Sequence, residues 1–375
     1  MKQALINSIK NIRGWSSNKK IIVFSVDDYG NVRVDSADAR QRMNVAGLKI
    51  LSRFDAFDSL ENKEDLLMLF ETLSSVKDSR GNHAIFTPFA VPCNINFEQL
   101  AANNYQQYSY ELLPETLAKL KGYEDVWDLW KEGISKGLLV PQFHGREHLN
   151  LKVFEEKLKQ KDHELLTALQ NRSYTSLSNS GYKTIAYTAA FDFWNSNENE
   201  RFANIITDGL NAFEKVFGYR AVQFNAPGAS ENAVIHPMLK KSGIKYIDVP
   251  YIKKEHQGNG KFLKSFNYTG KQNWLGQIYQ VRNVVFEPTH DRGIDWVNYS
   301  LAQIESAFFW KRPAIISSHR VNFCGHINPD NRQRSINDLA KLLRKIIVRW
   351  PDVEFMSANQ LGDLIQHDSK KIATN

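Results

Sequence analysis

Two segments of this 375-residue chain carry residue types and spacings suited to a reactive site: Ser25-Val26-Asp27-Asp28-Tyr29-Gly30 and His144-Gly145-Arg146-Glu147-His148. The first sets two adjacent acids at the end of an apolar run, Ile21-Ile22-Val23-Phe24. The second sets two imidazoles four positions apart. One carboxylate and two imidazoles, with a second carboxylate to spare, are the parts of a hydrolytic divalent-metal site that keeps a coordination position open for water. Each motif also has an ordinary alternative. Adjacent acids after a strand cap helices and form turns, and a histidine pair can be plain surface. On a helix the spacing of the pair projects both rings from one face and turns Arg146 to the other. Glu147 directly precedes the second histidine, so this is not the zinc-protease pattern. His319 ends a further apolar run, Ile315-Ile316-Ser317-Ser318.

The elements that position these residues follow a strand-then-helix rhythm, which favours an α/β fold with a parallel sheet or barrel. The patterns predict strands over 21–26, 83–87 (closed by Pro88), 138–143, 221–224, 244–249, 314–318 and 354–356, with Arg282 on another. Helices are expected over 65–74, 153–169, 205–217 (ended by Gly218), 232–242, 301–309, 336–348 and 359–365. The segments 94–123 and 253–277 read as excursions or hairpins on the surface. Asp27-Asp28, His144, Asn225-Ala226-Pro227 and His319 each fall just past a predicted strand, where barrel enzymes keep their chemistry.

With 42% hydrophobic and 12% aromatic residues, the chain can fill a sizeable core, and its length fits one large domain or two smaller ones. The net charge of +7 is spread along the chain, which argues for a solvated basic surface and against nucleic-acid binding. No apolar stretch approaches a membrane span, and residues 1–20 lack the apolar run of a signal peptide, so a cytoplasmic location is expected. Cys93 and Cys324 read as two buried free thiols.

Together and in this order, the motifs resemble the polysaccharide deacetylases, carbohydrate esterase family 4, also called the chitooligosaccharide deacetylase homology domain. Phe24 to Gly30 stands where that family has Thr-Phe-Asp-Asp-Gly, and His144 to His148 matches its His-Ser/Thr-x-x-His. Asn225-Ala226-Pro227-Gly228 echoes Arg-x-Pro-x-Gly, Asp295-Trp296 matches an Asp-Trp before a helix, and Ile315 to His319 matches the final strand ending in histidine. The Asp-Asp-Tyr-Gly start is also similar to chitin-disaccharide deacetylases. Two departures stand out. Asp28 and His144 are 116 positions apart (144 − 28), which implies an insertion and a divergent subfamily. Asn225 replaces the arginine that in the family pairs with the catalytic carboxylate, and Arg282 is the candidate substitute.

The resemblance implies a distorted (β/α) barrel of the glycoside hydrolase/deacetylase type, a single domain over 21–366 after an N-terminal extension over 1–20. An insertion over about 90–137, the excursion over 253–277 and a tail over 367–375 complete that layout. By the same resemblance Asp28, His144 and His148 bind a divalent metal, with Zn²⁺ first and Co²⁺ or another transition metal as alternatives. Asp27 acts as general base and His319 as general acid, with Tyr29 or its neighbour giving an oxyanion N–H. Asn225, Pro227, Trp296 and Arg282 orient groups around the site. The expected reaction removes an N-acetyl group, with O-acetyl as second choice, from an amino-sugar glycan or glycoconjugate precursor. A metal amidase for a small non-sugar amide and a non-catalytic glycan-binding protein are the alternatives. No oligomeric state is implied.

Overall fold

A computed structural model describes residues 2–50, 52–178, 181 and 185–374 of the chain, with side chains omitted at 2–6 and 372–374. Residues 1 and 375, the outer ends of the expected extension and tail, lie outside the described residues.

The first strand, Lys20–Tyr29, is buried almost throughout. An apolar run of this kind, with no polar alternation, belongs in a parallel sheet covered on both faces. It lies near the middle of a nine-stranded sheet. From edge to edge the order is Ile278–Gln280, Tyr246–Asp248, Gln223–Phe224, Gln142–Phe143, Phe86–Ala90, Lys20–Tyr29, Ala314–His319 and Val284–Val285, with Val353–Phe355 beside the start of the first strand. Every pairing in it is parallel. The two edge strands are consecutive in the chain, ending at Gln280 and starting at Val284. So short a link forces the sheet to curl until its edges meet, giving a distorted (β/α) barrel with helices outside.

Residues two apart on a strand share a face, and the barrel interior is layered accordingly. At the bottom Ile21, Val23, Tyr246, Ile278 and Ile315 pack on Ala358, Leu361 and Ile365 of the closing helix, which plugs the barrel. One step up, Ser25 faces Ser317 in register, and at the top Asp27 faces His319. The outward set, Ile22, Phe24 and Val26, packs beneath the helix layer. Apolar side chains thus fill the closed end and ionisable ones gather at the carboxyl ends of the strands.

The predicted strands and helices of the second half are present with shifts of a few residues, and four earlier expectations change. The first strand continues past Val26 to Tyr29. Pro88 does not close the second strand but sits inside Phe86–Ala90, opposite Val26. The single helix expected over 153–169 is two helices, Leu151–Lys159 and His163–Gln170, broken where Lys161 takes φ +53° and Asp162 caps the second. The closing helix runs Ala358–Thr374, through most of the expected tail. Both surface excursions contain antiparallel hairpins, Cys93–Ile95 with Tyr110–Leu112 and Ile252–His256 with Phe262–Phe266. Cys93 and Cys324 are buried free thiols. No helix among the described residues is long and apolar enough to cross a membrane.

Beneath the turn that follows the first strand lies a fully buried ion network. Arg320 grips Asp58 through two contacts of 3.1 Å and Glu61 through one of 2.9 Å. Glu61 in turn accepts the Gly30 N–H at 3.1 Å and the Trp130 indole N–H at 3.0 Å. Gly30, at φ +74°, has no room for a side chain, since a Cβ there would meet the Val91 carbonyl at 2.8 Å. Burial pushes the Asp58 and Glu61 carboxyls up, against the pull of Arg320. Arg320→Met is expected to destabilise the protein by about 3–5 kcal/mol at neutral pH, because two buried carboxylates lose their counter-charge. Acids whose folded pKa is raised stabilise below their unfolded pKa and lose that contribution as pH rises. The deficit in urea denaturation should therefore shrink as the pH is lowered.

Candidate active site and metal centre

In a regular strand Asp27 and Asp28 would point to opposite faces, one into the barrel and one under the helices. A bulge prevents this. Val26 pairs with Pro88 and Tyr29 with Ala90, so three steps on the first strand oppose two on the second. Pro88, which has no N–H to donate, lies at this irregularity. Asp28 takes φ +75°, a strained left-handed conformation for a non-glycine residue. Both carboxylates consequently line one cavity of about 530 Å³ at the carboxyl ends of the strands.

His144 and His148 line the same cavity, but not from a helix. Residues 144–150 form an irregular bend, and Gly145 at φ +111° turns the chain there. Gly145 also lies close against Pro227, whose Cγ would be 3.5 Å from a Cβ at that position. The bend brings the two imidazole centroids to 5.3 Å. Arg146 points out of the site, gripping Glu147 at 2.7 Å and stacking on Tyr110.

The hydrogen bonds decide which nitrogens are free. His144 Nδ1 lies 2.9 Å from the Asn225 backbone carbonyl, which can only accept, so Nδ1 carries the proton and Nε2 a lone pair. That Nε2 is buried without a hydrogen-bond partner. His148 Nδ1 lies 3.1 Å from the Tyr174 hydroxyl, which donates to the His148 carbonyl at 3.2 Å and so accepts from Nδ1. Both Nε2 atoms then face Asp28 Oδ1, at 3.5 Å from His144 and 2.9 Å from His148. Burial favours the neutral form of His148. Burial opposes the Asp28 carboxylate, but when the imidazole nitrogens facing it carry protons, hydrogen bonds from His144 and His148 and the charges of His148 and His319 hold its pKa well below the usual range. Two neutral imidazoles and a carboxylate, with lone pairs converging on one point, form a cluster that calls for a cation. Their ligand atoms lie within 4.8 Å of one another. A tetrahedral ion with bonds of about 2.0–2.2 Å needs its ligands roughly 3.4 Å apart, which these spacings can meet with small adjustments.

Around this cluster Asp27, Asp248, Arg282, Glu287 and His319 each have a counter-charge. Arg282 lies on the three-residue link between the edge strands, not on a strand. It grips both oxygens of Asp27 at 2.7 Å and Asp248 at 2.9 Å, and its cationic form is strengthened by those acids although burial opposes it. With its amide turned so that oxygen meets donor, Asn225 accepts from Arg282 Nη2 at 3.0 Å. An asparagine at the position of the expected arginine thus stands beside an arginine arriving from the link between the edge strands. Across from Asp27, His319 Nε2 lies 3.8 Å from Asp27 Oδ2, and its Nδ1 bonds Glu287 at 2.5 Å. Burial works against the imidazolium, but Glu287, Asp28 and Asp27 together raise the His319 pKa to about 9. Glu287 is fixed by Arg53 at 2.6 Å and Asn322 at 2.8 Å.

Of the residues expected at the site, Asp27, Asp28, His144, His148, Asn225, Arg282 and His319 line the cavity, whereas Tyr29, Pro227 and Trp296 do not. The Tyr29 ring packs edge-on against Trp130 in the helix layer, because its side chain follows the strand alternation outward after the bulge. The N–H of its neighbour Gly30 is already given to Glu61 and is not free for an oxyanion. Pro227 packs behind the His144 bend. Trp296 opens a helix capped by Asp295, stacks on His290 and donates its indole N–H to the His290 carbonyl. Sequence reading missed Glu287, Asp248, Tyr174 and Arg33, the last lining the cavity and paired with Asp55 at 2.7 Å. Glu287 and Asp248 fall at strand ends, so the rule that found His319 could have found them; Tyr174 carries no such signal.

Wild-type protein is expected to bind one equivalent of Zn²⁺ or Co²⁺, and Asp28→Asn to bind little or none. Tyr174→Phe, which removes the group that orients His148, should weaken the affinity about 10–100-fold without changing the stoichiometry. Cobalt absorption titrations check all three.

No family model matches the chain, and no curated protein matches it by sequence. Among solved structures it is similar to a protein classed as a polysaccharide deacetylase from Mycobacterium smegmatis, at 12% identity and a TM-score of 0.48, covering 95% of this chain and 94% of that one. It is also similar to the allantoinase PuuE, at 11% identity and a TM-score of 0.47, covering 93% and 91%. The Bc1960 peptidoglycan N-acetylglucosamine deacetylase is a third, at 10% identity and a TM-score of 0.38, covering 93% and 90%.

Proposed function

We propose that the protein is a metal-dependent hydrolase that removes N-acetyl groups from an amino-sugar-containing glycan or glycoconjugate. The observation that carries this reading is the convergence of Asp28, His144 and His148 beside a separate acid–base pair, Asp27 and His319, on one cavity wall. Asp28, His144 and His148 would hold a divalent transition metal. Such an ion supplies Lewis-acid polarisation of an acyl carbonyl and acidifies water.

The chain's own residues supply the proton transfers. Asp27, with both oxygens oriented by Arg282, takes a proton from the attacking water. His319, held as imidazolium by Glu287, gives a proton to the departing sugar amine as the C–N bond breaks, leaving acetate and a free amine. Placing the two on adjacent strands in register sets base and acid side by side, with His319 Nε2 3.8 Å from Asp27 Oδ2, so both can reach one bound group. Arg33, Ser52, Ser176 and Thr188 offer polar contacts to sugar hydroxyls, and Phe54, Val249 and Val285 offer an apolar wall. The volume suits a small-molecule-sized portion of a substrate.

Metal-stripped protein should release no acetate from N-acetylated oligosaccharides, and added Zn²⁺ or Co²⁺ should restore release. Asp27→Asn should lower the turnover at least about 100-fold while leaving metal binding intact. Tight metal binding with no acetate from any N-acetyl sugar, but hydrolysis of a small acyclic or cyclic amide, would replace the glycan reading with the amidase one. A group with a raised pKa keeps its proton to higher pH, so activity should fall on the alkaline side near pH 9. Glu287→Gln should move that falling limb of the kcat profile to lower pH, toward an ordinary histidine.

A further inference from the structure

The hairpin formed by Ile252–His256 and Phe262–Phe266 takes no part in the chemistry above, yet it concentrates exposed apolar and cationic side chains. Its register places Ile252 opposite Phe266, Lys254 opposite Lys264 and His256 opposite Phe262, so these six share one face. Lys253, Glu255, Leu263 and Ser265 share the other. The second face is the one fastened to the body. Lys253 is buried against Glu231 and Glu255, and the hairpin turn is tied down by the Asn259 N–H donating to the Trp194 carbonyl at 2.7 Å. On the first face Ile252, Lys254, Phe262, Lys264 and Phe266 are exposed, while His256 turns in against Asp192 with its Nε2 3.3 Å from that carboxylate.

That outward face is costly to leave in water. Ile252 is 48% exposed, Phe262 44% and Phe266 63%. Lys254 and Lys264 stand directly opposite each other, a like-charge pair that weakens a hairpin. Among the described residues neither has an acidic partner. Residues 252–277 hold five lysines and one acid, Glu255, which is already committed to Lys253. Paired lysines between bulky apolar side chains suit a boundary where negative headgroups meet hydrocarbon. Exposed Ile252 has no use for sugar hydroxyls, which argues against a glycan as the occupant. The face also joins the cavity, because Phe266 packs on Tyr251 with ring centroids 6.3 Å apart and Tyr251 lines the cavity.

We propose that this face docks on the surface of an anionic lipid bilayer and sets the cavity mouth beside the headgroups. The contact is interfacial: Ile252, Phe262 and Phe266 enter the headgroup–acyl boundary while Lys254 and Lys264 meet phosphates. It stands independently of the reaction proposed above.

Co-sedimentation of the full chain with vesicles tests it. Wild type should sediment with phosphatidylcholine vesicles containing phosphatidylglycerol, not with phosphatidylcholine alone, and added salt should release it. Lys254→Glu with Lys264→Glu should weaken binding about tenfold or more, and Phe266→Ser should weaken it while the Tm shows the fold intact. Lys254→Gln with Lys264→Gln, which removes charge without adding any, is the second variant should the reversal unfold the hairpin. Folded wild type that ignores anionic vesicles, or variants that bind as well as wild type, overturn the proposal. So does capture by an acidic polysaccharide in place of vesicles, or a concentration-dependent dimer that Phe266→Ser dissociates.

Discussion

Everything at this site depends on breaking the alternation of one β-strand. A strand cannot send two consecutive side chains to the same side, yet both Asp27 and Asp28 line the cavity. The bulge opposite Pro88 and the left-handed backbone of Asp28 bring this about, and a strained conformation persists only when its surroundings over-determine it. Those surroundings are visible. Gly30, two residues on, is tied to Glu61, and Glu61 to Arg320, the residue after His319. A single buried arginine thus links the ends of the two central strands that carry Asp27 and His319.

The barrel interior supplies the second condition, a graded environment. Ile21, Val23 and Ile315 close the bottom, serine side chains fill the middle, and charged groups meet at the top. Charges so far from bulk water need partners. Asp27 has Arg282, Arg282 has Asp248 as well, His319 has Glu287, and Glu287 has Arg53. The cluster of Asp28, His144 and His148 is different in kind, since its lone pairs face one another and no side-chain cation sits among them.

Much of this was legible in the sequence, for identifiable reasons. Apolar runs ending in a polar residue marked the strand tops, which is how Asp27-Asp28, His144, Asn225 and His319 were found. The histidine pair, whose spacing would also suit one face of a helix, sits on a bend instead, because spacing alone does not register a glycine at φ +111°. Asp295-Trp296 matched a motif but serves as a helix cap, a role that short-range pattern cannot distinguish from a catalytic one. Tyr174 and Glu61 were invisible because their importance lies in partners far along the chain, His148 and Gly30. Arg282 was foreseen as a substitute for the missing arginine, while its position on the link between edge strands was not.

That link has a consequence for how the protein comes into being. Asp27 and Arg282 are separated by 255 residues, and their contact exists only once the two edges of the sheet have been brought together. Contacts so distant in sequence form late and slowly, because the loop entropy must be overcome first. A nascent or partly folded chain can possess the first strand, the histidine bend and much of the helix layer and still lack an oriented Asp27. The oriented carboxylate of Asp27 therefore arrives in one step with barrel closure, so a chain still searching for its fold carries only an incomplete cavity.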